Sequence, residues 1–498
     1  MKLKVKDMDI ATGGVFIVLI HKKDAGLLDL HPLDRVLVKK GNKKTVAVVD
    51  IAESKKATPP GSVGLFEEVI KCLGAKRGDT VDILIEKKPK SVRWIKEKLK
   101  GMELSSKKIS DIMNDIANNA LTNIELTYYV AANYTHGMSA KEEIALTKAM
   151  INTGNKLNFD HATIADKHCT GGVAGNRTTM CIVPILTAAG IKMPKTSSRA
   201  ITSPAGTADT MEVLAPVSLP LKKLKQIVDK VKGCIIWGGS VNLSPADDKI
   251  IAVEHPLQID PEGQLLASIL SKKGSVGSKY VLIDIPLGRE TKIKTRKKAL
   301  RLERKFEKIG KALGMKIKVI LTNGNQPIGS GIGPALEARD CLYILSRDKK
   351  RPLDLEKKVI DMAGMLFEMV GKTKKGCGAD LATSILESGK AYKQMKRIIK
   401  AQGGNPNIVP GRIKIGKVKK DIIAKKSGIV KDVNNLGISK AARVAGAPQD
   451  KGAGIYLYKH EGDKVKKGEK ILTVYAYNKE KLKYALDMLN SFQTPIVK

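Results

Sequence analysis

The first 88 residues alternate apolar and polar positions in short runs that are rich in β-branched side chains. The clearest runs are 36–38, 45–49 and 81–85. Each is bounded by glycine or by charged residues, which is typical of short β-strands that end in tight turns. The pattern predicts a β-rich module over residues 1–88.

This module contains an internal repeat. Residues 30–38 and 73–83 both place an acidic turn directly before a strand-like run. A two-fold repeat of short strands is typical of a small closed barrel, and the spacing resembles that of double-psi barrels. We therefore expect a barrel-like N-terminal domain.

The period of the apolar positions changes to helical after a charged linker at 87–90. Residues up to about 153 form four or five amphipathic patterns that begin at Ser or Thr caps. Helical character returns at about 244–275. The sequence thus predicts one helical domain that is assembled from residues 89–160 and 244–275.

Short apolar runs alternate with helical patterns from residue 164 onward, as in α/β folds. We expect an α/β domain, which binds phosphate as argued below, from residues 161–243 and 276–411. Beyond residue 412 the pattern is β-rich again. The fold class is therefore multidomain α/β.

The C-terminal region, 412–498, contains a turn that resembles those of lipoyl-like hammerhead modules. This turn is Gly462–Glu469, and no Met-Lys attachment pair accompanies it. We interpret the likeness as a matter of fold, and we expect no cofactor and no metal.

Composition narrows the functional classes. The 498 residues include 89 Lys and Arg against 50 Asp and Glu, a formal charge of +39. The lysines are dispersed and only 4% of the residues are aromatic, so general basicity is favoured over specific nucleic-acid binding. No apolar stretch reaches the length of a membrane helix, and the six scattered cysteines favour reduced thiols in a cytoplasm.

The strongest chemical signal is the run Lys167-His168-Cys169-Thr170-Gly171-Gly172-Val173. We expect it to connect a strand that ends near Asp166 to a helix that begins near Arg177. Its glycines allow a close approach of main-chain N–H groups to a ligand, and the helix N-terminus favours an anion. The run predicts a phosphate site, although a glycine-rich turn without a ligand is the plainer alternative.

A second run, Ser197–Asp209, adds hydroxyl groups, Arg199 and the pair Ala205-Gly206 before a helix that begins near Ala208. Such loops also cap helices without binding anything. The nearby guanidinium favours an anion site here too. Together the two runs imply a phosphorylated substrate.

These runs resemble the motifs of the thymidine/pyrimidine-nucleoside phosphorylase family. The resemblance covers residues 90–498 and includes Ala267–Lys273. The N-terminal module and the run Val253–Gln264 resemble more closely the archaeal AMP phosphorylases of that family. The resemblance implies a pentosyltransferase in nucleotide salvage that converts AMP and inorganic phosphate to free base and ribose 1,5-bisphosphate.

The resemblance also implies the site residues. Asp260 matches the position of the acid that protonates the leaving base, although the run around it is also typical of a turn and helix cap. The implied AMP-binding residues are Gly172, Ser198, Arg199, Ala200, Ile201, Thr202, Ser203, Thr207, Ser268 and Lys292. Lys167 and Thr179 are the implied phosphate-binding residues, and His168 is either a ligand-binding or an oriented structural donor.

Two departures affect the specificity that we expect. Val253 stands near the position at which pyrimidine-specific members carry an arginine, and Cys169 replaces a serine of those members. A thiol is a weaker donor than a hydroxyl, but the main-chain N–H remains. The nearest alternative to an AMP phosphorylase is a pyrimidine nucleoside phosphorylase. A basic nucleic-acid-binding protein is the alternative from another functional class. The family resemblance also implies a homodimer or larger homo-oligomer.

Overall fold

The computed structural model describes residues 1–159, 162–200 and 203–498. The strands are β1 Lys2–Asp7, β2 Ile17–His21, β3 Arg35–Lys40, β4 Lys43–Ala52, β5 Ser62–Leu65, β6 Thr80–Ile85, β7 Ala165–Cys169, β8 Met193–Ser197, β9 Gly233–Trp237, β10 Tyr280–Leu287, β11 Lys316–Asn323, β12 Gly331–Ile332, β13 Val418–Ile423, β14 Gly428–Asp432, β15 Gly454–Leu457, β16 Lys464–Val465, β17 Lys470–Ala476 and β18 Ile496–Val497.

The helices are α1 Lys22–Leu27, α2 Glu67–Leu73, α3 Ser91–Leu99, α4 Ser106–Ala117, α5 Asn123–His136, α6 Ala140–Thr153, α7 Thr178–Ala188, α8 Thr207–Glu212, α9 Leu221–Val231, α10 Pro245–Leu257, α11 Glu262–Ser275, α12 Arg296–Ala312, α13 Pro334–Leu345, α14 Leu353–Met369, α15 Gly378–Glu387, α16 Lys390–Gln402, α17 Asn435–Val444 and α18 Lys479–Ser491. Among these helices, none is both long and apolar enough to cross a membrane.

The chain divides into two units. The first contains Met1–Gly154 and Ser244–Ser271, and the second contains Asn155–Leu243 and Lys272–Lys498. The multidomain α/β architecture predicted from the sequence is confirmed at this level.

A closed six-stranded barrel begins the first unit. Its strand order is β1-β5-β2-β4-β3-β6, with parallel pairs β1–β5 and β2–β4 among antiparallel neighbours. Alternate side chains such as Val18, Ile20, Val36 and Val38 fill the interior without exposure to solvent. The strand runs of the first 88 residues therefore fold on themselves, and closure leaves no free sheet edge.

Helices α3–α6, α10 and part of α11 form the rest of the first unit. Ser105, Thr122 and Ser139 cap α4, α5 and α6, each accepting a hydrogen bond from a main-chain N–H of the first turn. The apolar faces meet in a core that includes Ile109 and Ile112, neither of which is exposed.

One buried ion pair joins two of these helices. The Lys98 ammonium lies 2.8 and 2.9 Å from the two carboxylate oxygens of Glu142, and both side chains are nearly inaccessible. Glu142 also accepts from the main-chain N–H groups of Leu104 and Ser139, at 2.9 and 2.8 Å. One carboxylate therefore fixes α3, α6 and the segment between α3 and α4.

The second unit is built around parallel strands. One sheet has the order β11-β10-β7 and another pairs β8 with β9. Helices α7, α14 and α16 pack around a large apolar core beside these strands. The loops after β7 and β8 therefore lie at carboxyl ends of parallel strands, where α/β folds bind ligands.

The C-terminal region has two small sheets. Their orders are β12-β15-β17-β13 and β16-β14-β18, with α17 and α18 packed against them. Strands β14, β15 and β17 lie beyond residue 412, where the sequence pattern predicted β-structure. Upstream of this region, the side chain of Thr295 caps α12.

Glu142→Gln should lower the free energy of unfolding of the first unit by about 3–5 kcal/mol, because it leaves the Lys98 ammonium buried without a carboxylate. Urea denaturation would measure the change. Asp111→Asn is the matched control, since Asp111 pairs with an exposed lysine, Lys107. Its effect should stay within about 0.5 kcal/mol, and equal effects of the two variants would contradict the role given to Glu142.

Candidate anion-binding site

The first loop starts from the end of β7 and leads into α7. Lys167 is 1% exposed, and its ammonium donates a hydrogen bond of 2.8 Å to Thr178 Oγ1 at the first position of α7. The hydroxyl that Lys167 contacts is therefore that of Thr178, while Thr179 is buried at the next position. A cation beside a helix N-terminus provides two sources of attraction for an anion.

Asp284 on β10 is the partner that orients Lys167. Its carboxylate lies 3.5 Å from the Lys167 ammonium and 3.0 Å from that of Lys358. It also accepts from the Thr322 hydroxyl at 2.6 Å and from the Asn176 amide at 3.3 Å. Burial by itself would raise the pKa of Asp284, but the two ammonium groups outweigh it and hold this pKa at about 2.

Asp166 and His168 lie on the opposite face of β7, because side chains alternate along a strand. The Asp166 carboxylate contacts the ammonium groups of Lys195, at 3.1 Å, and Lys273, at 2.6 Å. Burial alone would raise the pKa of Asp166, but these two lysines lower it. Burial, reinforced by Lys273, lowers the pKa of Lys195 to about 7 although Asp166 opposes the shift.

The charges around β7 do not balance. Four lysines, Lys167, Lys195, Lys273 and Lys358, share two carboxylates in the ion pairs described above. An excess of buried positive charge is unfavourable unless a ligand of opposite charge compensates it. The described residues therefore form a cluster that suits a multiply charged anion.

Two polar atoms of the loop are also available to a ligand. Thr170 Oγ1 and Asn176 Oδ1 are buried and have no hydrogen-bond partner among the described residues. Buried polar atoms in folded proteins are nearly always paired. Their position within the first loop makes them candidate contacts for a bound molecule.

Gly172 brings the loop against a neighbouring segment. Its φ is +92°, and a Cβ placed there would lie 2.7 Å from Thr291 Cα and 3.1 Å from the main-chain nitrogen of Lys292. Only glycine permits this approach. The exposed residue Lys292 therefore lies beside Gly172 of the first loop. The resemblance implied that both residues bind AMP.

The second loop is organised by Asp209 of α8. Its carboxylate accepts from the main-chain N–H groups of Ala200 and Gly206, at 2.7 and 2.8 Å, and from Arg199 at 3.2 Å. A Cβ on Gly206 would lie 2.5 Å from the Ser198 carbonyl oxygen. The loop is therefore folded tightly upon itself.

Arg199 has a different environment from the one expected. Its guanidinium donates to both carboxylate oxygens of Glu212, at 2.8 and 2.5 Å, and lies 5.1 Å from the ring centre of Trp237. The hydrogen bonds with Glu212 raise the pKa of Arg199 above its usual range. The charge of Arg199 thus serves to fix the loop.

The remaining predicted residues of the second loop are distributed as follows. Ser198 is exposed, the Ser203 hydroxyl donates to the Ala205 carbonyl oxygen at 2.9 Å, and Thr207 begins α8. Ile201 and Thr202 lie outside the described residues.

Asp260 and Ser268 belong to the first unit. Asp260 is exposed and lies two residues before α11. The Ser268 hydroxyl donates to the carboxylate of Asp247 at 2.9 Å. Val253, near the position where pyrimidine-specific relatives carry an arginine, is 8% exposed and packs into the core of the helical region.

Sequence reasoning missed four charged residues that shape this site: Asp166, Lys195, Asp209 and Asp284. A signal existed for Asp209, because an acidic residue three positions after Gly206 is typical of a capping box. Lys195 is a charged residue in the middle of β8, and Asp284 interrupts the apolar run of β10. Their partners lie far away in sequence, so the pairs themselves left no local pattern.

Three family models match separate regions of the chain. The glycosyl transferase family helical bundle domain matches residues 92–154, and the α/β domain of that family matches residues 161–260. The pyrimidine nucleoside phosphorylase C-terminal domain matches residues 418–494. These matches agree with the helical, α/β and C-terminal regions described above.

Several relatives are similar over nearly their whole length. AMP phosphorylase 1 of Archaeoglobus fulgidus is 45% identical over 97% of this chain and 95% of its own. AMP phosphorylase of Thermococcus kodakarensis is 45% identical over 98% and 96%. A putative thymidine phosphorylase of Legionella pneumophila is 41% identical over 93% of this chain and 88% of its own.

A solved structure shares part of the fold. Anthranilate phosphoribosyltransferase from Thermus thermophilus aligns with a TM-score of 0.53 at 18% identity, covering 62% of this chain and 98% of its own. At that identity the likeness concerns the fold alone. It is consistent with an α/β unit built around parallel strands.

Gly172→Ala should weaken binding of inorganic phosphate at least tenfold, because the added methyl group collides with the main chain at Thr291 and displaces the loop. Titration calorimetry would measure the affinity. Gly171→Ala is the matched control, since Gly171 has a similar φ of +94° but nothing within 4 Å of its Cβ position. Equal losses in the two variants would mean that backbone strain, and not the close approach, is responsible.

Proposed function

The chain belongs to the AMP phosphorylase family, and we propose on that premise that it cleaves AMP with inorganic phosphate to give adenine and ribose 1,5-bisphosphate. In this reaction a phosphate oxygen bonds to the anomeric carbon while the bond to the base nitrogen breaks. The electron pair of that bond leaves with the base, which takes up a proton. The enzyme is a pentosyltransferase of nucleotide salvage.

The observation that carries this proposal is the identity of 45% to AMP phosphorylase 1 of Archaeoglobus fulgidus over 97% of the chain. The geometry of the second unit supports it. Two loops at the ends of parallel strands, with an excess of buried lysines between them, suit the recognition of phosphate groups.

A pyrimidine nucleoside phosphorylase is not favoured. The relative from Legionella pneumophila is named a putative thymidine phosphorylase, but the relatives at 45% identity are AMP phosphorylases. Val253 places a buried apolar side chain where a base-binding arginine would be needed.

Inorganic phosphate is proposed to bind at the first loop. Lys167 supplies a charge next to the start of α7, and Thr178 and Thr179 supply hydroxyl groups at that helix end. The uncompensated charge of the lysine cluster attracts the anion, and the fixed geometry limits the reorganisation that binding requires.

AMP is proposed to bind through Gly172, the second loop, Thr207, Ser268 and Lys292. Lys292 is an exposed cation held beside Gly172, which suits a 5′-phosphate. Arg199 acts in this proposal by keeping the second loop closed on Asp209 and Glu212. Ala200 presents its main chain within the same loop.

Asp260 is proposed to be the general acid. A departing purine anion is a poor leaving group, and protonation during bond cleavage lowers the barrier. Asp260 is exposed just before α11, so its carboxyl group is accessible to the base of a bound nucleotide.

We further propose that the protein acts as a homodimer or larger homo-oligomer in the cytoplasm, as the family resemblance implies. Specific nucleic-acid binding has no part in this proposal. The net charge of +39 instead increases the rate at which anionic substrates reach the protein.

AMP should be cleaved at least a hundredfold more efficiently than adenosine, expressed as kcat/KM, because the site supplies cationic contacts for a 5′-phosphate as well as for inorganic phosphate. Release of free adenine would be followed by chromatography in a panel of nucleosides and 5′-monophosphates. Equal values for AMP and adenosine would contradict the proposed substrate, and a preference for thymidine would restore the pyrimidine alternative.

Asp260→Asn should lower kcat by roughly 10²–10⁴-fold with little change in AMP affinity, because the amide keeps the shape but cannot donate the acid proton. Steady-state kinetics and equilibrium AMP binding together measure this. Asp111→Asn in the same unit is the control and should turn over normally. Near-normal turnover of Asp260→Asn would show that another group protonates the base.

A further inference from the structure

The strands β7 and β8 pair at their beginnings and then separate. Ile164 forms a bridge with Lys192, and the N–H of Ala165 donates to the Lys192 carbonyl oxygen at 3.0 Å. Further along, β8 forms its ladder with β9, and β7 forms its ladder with β10. The edge of β7 that faces β8 therefore needs other partners for its main-chain groups.

Side chains supply these partners at Lys167. Its N–H donates to Asp166 Oδ1 at 2.7 Å, and its carbonyl oxygen accepts from the Lys195 ammonium at 2.7 Å. The same ammonium donates to Asp166 Oδ1 at 3.1 Å. Lys195 of β8 and Asp166 thus supply the hydrogen bonds that a neighbouring strand would otherwise make to the main chain of Lys167.

A third group completes the arrangement from another element. The Lys273 ammonium, on α11, lies 2.6 Å from Asp166 Oδ2. Asp166, Lys195 and Lys273 are between 1% and 4% exposed. Burying two ammonium groups around one carboxylate opposes folding, so this buried triad is better explained by a role in the site than by stability.

We infer that Lys195 is a positioning residue of the phosphate site: its ammonium connects β8 to the main chain of Lys167 and so sets how Lys167 and His168 enter the first loop. This inference deepens the proposed function and rests on its assignment of phosphate to this loop. Lys195 itself does not contact the substrate. It acts through Lys167.

His168 shares a face of β7 with Asp166, and the two lysines of the triad contribute to its electrostatic environment. Burial, followed by the positive charges of Lys273, Lys195, Lys167 and Lys272, lowers the pKa of His168 well below its ordinary value. The imidazole is therefore neutral and offers one donor and one acceptor nitrogen.

The other groups near Lys195 do not offset the effect of the lysines on the pKa of His168. The thiol of Cys234, beside the main chain of Lys195, is uncharged because burial raises its pKa to about 12. Asp166 is the carboxylate that faces Lys195, and two ammonium groups already surround it. Removing the Lys195 charge should therefore be felt directly at His168.

Lys195→Met tests the inference, because methionine fills a similar volume without the charge or the donor. We expect the dissociation constant for inorganic phosphate, measured by calorimetry, to rise roughly 10–100-fold, as for the loss of other groups that orient a binding residue. Lys192→Met, at the start of the same β-segment with a surface ion pair to Asp229, should change it less than about twofold.

A second readout separates positioning from a general loss of structure. In ¹⁵N NMR spectra of the intact protein, the His168 imidazole should stay neutral throughout the range near pH 6.5, and in Lys195→Met its pKa should move upward. Unchanged phosphate affinity in a folded Lys195→Met protein would overturn the inference. If that variant fails to fold, unchanged phosphate affinity in a folded Lys195→Gln protein would overturn it instead.

Neither readout depends on turnover. If AMP is not cleaved but both readouts behave as expected, the proposed function fails and the positioning role stands. If AMP is cleaved and Lys195→Met binds phosphate normally, the positioning role fails alone.

Discussion

The excess of buried positive charge around β7 is the constraint on which the rest of the site depends. Lys167, Lys195, Lys273 and Lys358 are held by only two carboxylates, Asp166 and Asp284. Removing ammonium groups from water is costly, and partial pairing returns only part of that cost. A bound phosphate anion would add negative charge beside these lysines and so offset part of the cost of burying them.

The topology of the second unit decides where this charge is concentrated. Strand β7 pairs with β10 on one edge and touches β8 only at the bridge between Ile164 and Lys192 on the other. Beyond that bridge β7 and β8 diverge. Main-chain groups at such a divergence lack ladder partners, and both loops begin there. The separation of β7 from β8 leaves space for a ligand, as at other strand divergences in α/β folds. It also leaves the main chain of Lys167 without a strand partner, so Asp166 and Lys195 support it instead.

Much of the fold followed from local patterns. Alternating β-branched runs predicted the strands of the barrel, and Ser or Thr before amphipathic segments predicted the helix starts, because both signals depend on neighbours within a few residues. The loop motif Lys167–Val173 was likewise recognisable, since only glycine tolerates the approach that Gly172 makes to Thr291.

The sequence by itself determined the multidomain α/β class and the family resemblance, and it predicted the two loops as anion sites, since each of these depends on short, ordered runs of residues. Only the tertiary structure decided what the charged side chains do. Arg199, predicted to bind the substrate, is paired with Asp209 and Glu212, and Lys195 contacts the carbonyl oxygen of Lys167, which no local pattern indicates. The physical reason is that the role of a charged side chain depends on the groups that it contacts. In this protein those groups lie on strands and helices that are distant in sequence.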